Sequence, residues 1–128
     1  MRFKTFLFTF LVLALFSSCT KERLIKQLTG IYKLDSYIKD KKDLTNAFKA
    51  EKQDYRLEIK EENVFTESFK LNGLVFKETK GQWQLINSNK DLQMVDADNN
   101  VRIFNIKHAS NKKLTLTKGN EEYQFTEE

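Results

Sequence analysis

Apolar and polar residues alternate with a period of two over most of this chain. Tyr32, Leu34 and Ile38 alternate with Lys33, Asp35 and Tyr37, and Tyr55, Leu57 and Ile59 with Arg56, Glu58 and Lys60. That spacing predicts strands with one buried face. Phe65, Phe69 and Leu71 continue it on a face shared with Glu67, and Asn72-Gly73 marks a type I′ hairpin turn. Leu74 to Thr79 follows, and Gly81 opens Gln82-Trp83-Gln84-Leu85. Polar turns at Asn87 to Lys90, Asp96 to Asn100, Ser110 to Lys112 and Lys118 to Asn120 then separate Leu92 to Met94, Val101 to Lys107, Leu114 to Thr117 and Tyr123 to Phe125.

Two stretches carry helical spacing instead. Lys21 to Thr29 places Leu24, Ile25 and Leu28 on one face before Gly30, as a short helix or a tether. Leu44, Ala47 and Phe48 follow Asp43, a plausible N-cap, within Asp40 to Lys52. About eight short strands with turns too tight for crossover helices predict an antiparallel meander, which usually closes to remove its edges. The expected fold is all-β, a small up-and-down barrel over residues 30–128.

The first residues follow another logic. Arg2 and Lys4 precede an apolar run from Phe6 to Phe16, and small Ser17 and Ser18 precede Cys19. A run this short reads as a signal peptide over 1–18 and not a permanent span, which needs about 20 residues. Cys19 directly after Phe-Ser-Ser resembles the lipobox of bacterial lipoproteins, whose thiol is lipidated and becomes the first residue. The resemblance implies a diacylglyceryl and palmitate-type anchor on Cys19 and a tether over 19–29. Multiple acyl chains hold a domain on a bilayer far better than one. Thr20, where an Asp would imply inner-membrane retention, points to the outer membrane.

Composition narrows the chemistry. The chain has 128 residues, enough for one domain, with one Cys, one His, four Gly and no Pro. With Cys19 consumed, the remaining chain can form no internal disulfide, Cys-ligated metal site or cysteine nucleophile. The net charge of +4 comes from lysines interleaved with acids, which is no nucleic-acid footprint. His108 stands alone beside a turn. Asp96-Ala97-Asp98-Asn99-Asn100 resembles half a calcium loop, but Val101 and Lys107 stand where glycine and a bidentate Glu are needed, so a solvated turn is the better reading. No metal, cofactor or catalytic residue is expected, and an enzyme is not. Glu67 and Arg102 each share a face with apolar residues. Such charges must be paired, ligand-facing or outward, and an outward or rim position is expected.

At Gly30-Ile31-Tyr32-Lys33-Leu34 the opening strand resembles that of the lipocalin and fatty-acid-binding (calycin) barrels. Gly81-Gln82-Trp83-Gln84-Leu85 followed by Leu92-Gln93-Met94 is similar to the middle of lipocalin-like domains in Gram-negative lipoproteins. The resemblance spans roughly Gly30 to Phe125 and implies a barrel interior that binds a small hydrophobic or amphipathic ligand. Tyr32, Tyr55, Phe65, Phe69, Trp83 and Phe104 are the candidate interior contacts, although aromatics in a domain this size are most often simple core. The alternative is a protein-interaction or inhibitor module of the cell envelope that uses its outer strands or loops.

Overall fold

The computed structural model describes residues 21–128. The expected signal peptide and Cys19 lie outside the described residues. Helix α1 covers residues 21–28 of that range, and helix α2 is Thr45–Glu51. The strands are β1 (Gly30–Lys39), β2 (Lys42–Asp43), β3 (Lys52–Ile59), β4 (Val64–Leu71), β5 (Val75–Ile86), β6 (Asp91–Asp96), β7 (Val101–Ser110), β8 (Lys113–Lys118) and β9 (Glu121–Glu127).

All neighbours pair antiparallel, in the order β2-β1-β3-β4-β5-β6-β7-β8-β9, and β1 also pairs β9. The β1–β9 register runs from Tyr32↔Glu127 to Lys39↔Glu121. The sheet is therefore a closed up-and-down barrel of eight strands, with β2 as a two-residue addition to β1. At this strand number side chains fill the interior or leave room for one small ligand.

The alternation places the core as expected except past the β1 bulge between Leu34 and Ser36, where Tyr37 and not Ile38 turns to the core. Tyr32, Leu34, Leu57, Ile59, Phe65, Trp83, Leu92, Met94, Phe104, Leu114, Leu116 and Phe125 are buried and form one cluster. The α1 end is sealed. Leu28 of α1 is fully buried, and the Tyr32 hydroxyl donates to the Leu28 carbonyl at 2.9 Å. Trp83 Nε1 donates to the Lys60 carbonyl at 2.8 Å in the β3–β4 turn of the same end. The other end is covered by α2, which has no buried residue.

Several local expectations need correction. Leu74 belongs to the turn, and the two expected strands that follow are one continuous strand, β5 (Val75–Ile86). Gly81 does not break it. A Cβ there would lie 2.1 Å from the Val95 carbonyl oxygen and 2.7 Å from the Phe65 ring, so glycine marks a close approach. Leu44, not Asp43, occupies the α2 N-cap, while the Asp43 carboxylate accepts the Thr45 N–H at 3.0 Å. Leu44 is exposed, and Phe48 alone of the predicted face packs against the core cluster. Asn72 and Gly73 have the positive φ that a type I′ turn needs, 51° and 72°, but Leu71 pairs with Val75, so the loop has three residues and not two.

Leu28→Ala should destabilise the barrel by about 2–5 kcal/mol through a lost core contact and a cavity. Tyr32→Phe should cost about 1–3 kcal/mol by stranding a buried carbonyl. Urea titration followed by Trp83 fluorescence measures both.

Candidate functional site

Three polar side chains meet inside the barrel toward its α2 end. Glu67 projects inward from β4 because its strand neighbours Phe65 and Phe69 share its face, and it is the one buried charged residue among those described. Arg102 reaches across the lumen from β7. Its Nη1 and Nη2 donate to Glu67 Oε2 and Oε1 at 3.1 and 3.2 Å. The Tyr55 hydroxyl, from β3, donates to Glu67 Oε2. This corrects the expected outward placement: both charges face inward, Arg102 close to the α2 rim with a partly exposed side chain, and a bidentate pair meets the cost of burying Glu67.

Rings surround the triad. Phe48 of α2 packs on Tyr37 at 5.0 Å between centroids and edge-on to Tyr55 at 5.4 Å. Tyr123 meets Phe104 edge-on at 5.8 Å and Tyr37 at 5.1 Å. Two ammonium groups sit at the rim: Lys52 Nζ is 5.2 Å from the Phe48 centroid and 5.1 Å from Phe69, and Lys118 Nζ is 6.0 Å from Phe104. Between these groups lies a cavity of about 60 Å³. That volume accommodates a few waters or a compact polar group. A ligand on the usual scale of several hundred Å³ would have to displace Phe48.

The six predicted contacts divide between the two ends. Tyr55 and Phe104 line the cavity, and Phe69 stacks on Tyr55 at 6.2 Å beneath Lys52. Tyr32, Phe65 and Trp83 are fully packed core. Phe48, Lys52 and Tyr123 were not anticipated, because the register that brings them together is long-range. The other sequence candidates stay apart from the cavity. His108 Nε2 lies 3.1 Å from Ser110 Oγ on the exposed β7 surface. The Asp96 carboxylate caps its own turn, accepting the Asp98 and Asn100 N–H groups at 2.9 and 3.0 Å. Among the described residues no group of three or more His, Cys, Asp or Glu is placed to hold a metal.

Two solved structures share this architecture. A lipocalin-like protein from Bacteroides uniformis ATCC 8492 matches with a TM-score of 0.63 and 14% identity, over 80% of this chain and 99% of that one. The fold is lipocalin-like. An uncharacterized protein from Bacteroides eggerthii DSM 20697 matches with a TM-score of 0.61 and 13% identity, over 78% of this chain and 98% of that one. No family model and no curated protein matches the sequence. At these identities the likeness concerns the lipocalin-like fold alone.

The electrostatics of the site keep its phenols neutral. Burial, the adjacent Glu67 carboxylate and its hydrogen bond hold Tyr55 well above its ordinary value. Burial and then Glu121 raise Tyr123, and burial followed by a hydrogen bond to Glu121 pushes Tyr37 up to about 12. Tyr32, at the sealed end, is raised by burial to about 12. Burial alone would lower Arg102, but the charge and hydrogen bonds of Glu67 more than offset it.

Two predictions follow from this arrangement. All four tyrosines are raised, so the neutral phenol is favoured in the folded state. Their contribution to stability is intact below pH 10 and lost as the pH climbs through about 12. Ultraviolet titration should show almost no tyrosinate at pH 10, with ionisation and unfolding arriving together above it. In the ion pair, Arg102→Met should cost about 1–3 kcal/mol, below the full cost of breaking a buried pair because Arg102 is partly exposed. Pairing it with Glu67→Leu should recover most of that loss, as read from urea midpoints of the double-mutant cycle.

Proposed function

We propose that this chain is a membrane-anchored binding module that takes a small amphipathic molecule at the α2 end of its lipocalin-like barrel. The observation that carries the reading is the Tyr55–Glu67–Arg102 cluster on the wall of a ring-lined cavity. A barrel this small is filled more cheaply by apolar side chains, so a hydrogen-bonded charge cluster beside open space fits ligand contact better than packing. The rings offer apolar surface, while Lys52 and Lys118 at the rim favour an acidic end group. Access is by movement of α2, which has seven residues, none buried, and no side-chain N-cap bond. Phe48 is the plug.

The anchor belongs to the same proposal. Lipid on Cys19 would leave Thr20 alone before the first described residue, so the α1 end would face the outer membrane and the α2 mouth away from it. The alternative of a protein-interaction module has its own support. Leu74, Val75 and Phe76 are exposed by 87%, 50% and 61% at the tip of the β4–β5 hairpin. Val75 to Lys80 pair with β4, while pairing with β6 begins only at Gly81. An unpaired edge with an apolar tip can accept another strand, although Lys77, Glu78 and Lys80 along it oppose non-specific pairing.

The ligand reading is tested with anilinonaphthalene sulfonate, an anionic apolar fluorophore. The full chain should bind it saturably, Phe48→Ala should tighten binding, and Phe48→Trp should weaken it. Fluorescence indifferent to both substitutions would count against a site behind α2. Separately, Cys19→Ala should leave a folded protein that no longer fractionates with membranes. Retention with the membrane pellet would overturn the anchor.

A further inference from the structure

A second concavity lies on the outside of the barrel, where the sheet parts. β1 and β3 pair from Gly30↔Ile59 only as far as Lys33↔Arg56. Beyond that point β1 continues with β9, and β3 bends at Asp54, whose φ is 55°, as its register with β4 shifts between Gln53 and Arg56. The gap beside α2 is a groove of about 410 Å³, within the range of small-molecule sites.

The groove is cationic. Lys33, Lys49, Lys52 and Arg56 line it against a single acid, Asp54. One end already holds a carboxylate: Glu128 Oε1 lies 2.9 Å from Arg56 Nε and 3.5 Å from Lys33 Nζ. The Glu128 N–H donates to the Ile31 carbonyl at 2.7 Å, so this grip is fixed by the backbone. At the other end, Lys49 and Lys52 form no ion pair among the described residues. Elsewhere the surface behaves differently. Lys107 pairs with Glu122 and Lys113 with Asp35, as on an ordinary mixed-charge face. Unneutralised cations in a concavity with a low-dielectric wall concentrate a positive field and raise the local concentration of anions.

We infer that the β1–β3 groove is a binding site for a small organic anion. Its phosphate or carboxylate lies by Lys49 and Lys52, and its body lies against Tyr55 and Leu34. The Lys33–Arg56 end, with Glu128 bound, shows the chemistry the unoccupied end would repeat. Tyr55 and Lys52 also border the interior cavity, so they form the wall between the two spaces. The site itself is outside the barrel. It does not depend on the interior reading proposed above, and either can fail alone.

The test is a titration of the full-length chain with butyl phosphate, followed by backbone amide NMR shifts. Inorganic phosphate and butanol serve as the separated halves of that ligand. Saturable shifts over residues 52–56 are expected with butyl phosphate, weaker ones with phosphate and none with butanol. The double variant K49Q/K52Q, which removes the two unpaired cations, should lose about tenfold or more in affinity. Arg102→Met, which touches only the interior, should leave it unchanged. A second arm uses vesicles: binding to phosphatidylglycerol but not phosphatidylcholine would identify the anion as a lipid headgroup, and binding to neither would leave a free small molecule as its source. Absence of saturable shifts in the groove would overturn the inference. So would shifts that survive K49Q/K52Q, or that vanish only with Arg102→Met.

Discussion

Closure of the sheet by β1 against β9 is the constraint on which the rest of this structure depends. The first half of β1 is held on both sides, by β3 and by β9, whereas its second half is held by β9 and the short β2. Without that closing ladder the sheet would expose two edges and its apolar faces together. With it, eight strands define a lumen narrow enough for their own side chains to fill. The same division of labour along β1 opens the cationic groove, because β3 is released after Arg56 while β1 stays with β9. Closure and groove are thus two consequences of one strand serving two partners.

The two ends of the barrel are built from different physics. At the α1 end, Leu28, Tyr32, Phe65 and Trp83 are packed tightly, and the polar atoms of Tyr32 and Trp83 bond to backbone carbonyls. At the α2 end, the Glu67–Arg102 pair ties β4 to β7 across the lumen, and Tyr55 adds β3. Replacing such a cluster by apolar residues would often be neutral or stabilising. It is therefore better explained by what it does to the space beside it than by what it contributes to folding. It keeps that space polar and electrostatically stiff under a cover that packs through Phe48.

Much of the fold was legible because a closed barrel repeats one local rule. Alternation at Leu92 and Met94, or Leu114 and Leu116, states which residues share a face, and Asn72-Gly73 marks where the β4–β5 hairpin turns, one residue short of its loop length. Alternation does not say which face points inward once a charge interrupts it. An outward or rim position was expected of Glu67 and Arg102 for that reason, and only their meeting across 35 residues shows that both face inward. Gly81 misled in the opposite sense. A glycine within a strand pattern reads locally as a break, but here it admits the Phe65 ring and the β6 backbone. The division of the six candidate aromatics between a packed end and a lined cavity was equally invisible, since it depends on strand stagger. The bend at Asp54 that opens the groove lies just ahead of the alternation over residues 55–59, where the sequence carried no periodic signal.

The central claim is that the barrel has one sealed end and one gated end. Native-state hydrogen exchange over a denaturant series tests it most directly. Amides of the β1–β9 ladder and of the α1 junction should exchange only through global unfolding. Those of α2, residues 45–51, should exchange through a local opening that denaturant scarcely affects. Protection of the α2 amides to the same global limit would mean that the cover does not open on its own, and would contradict the account.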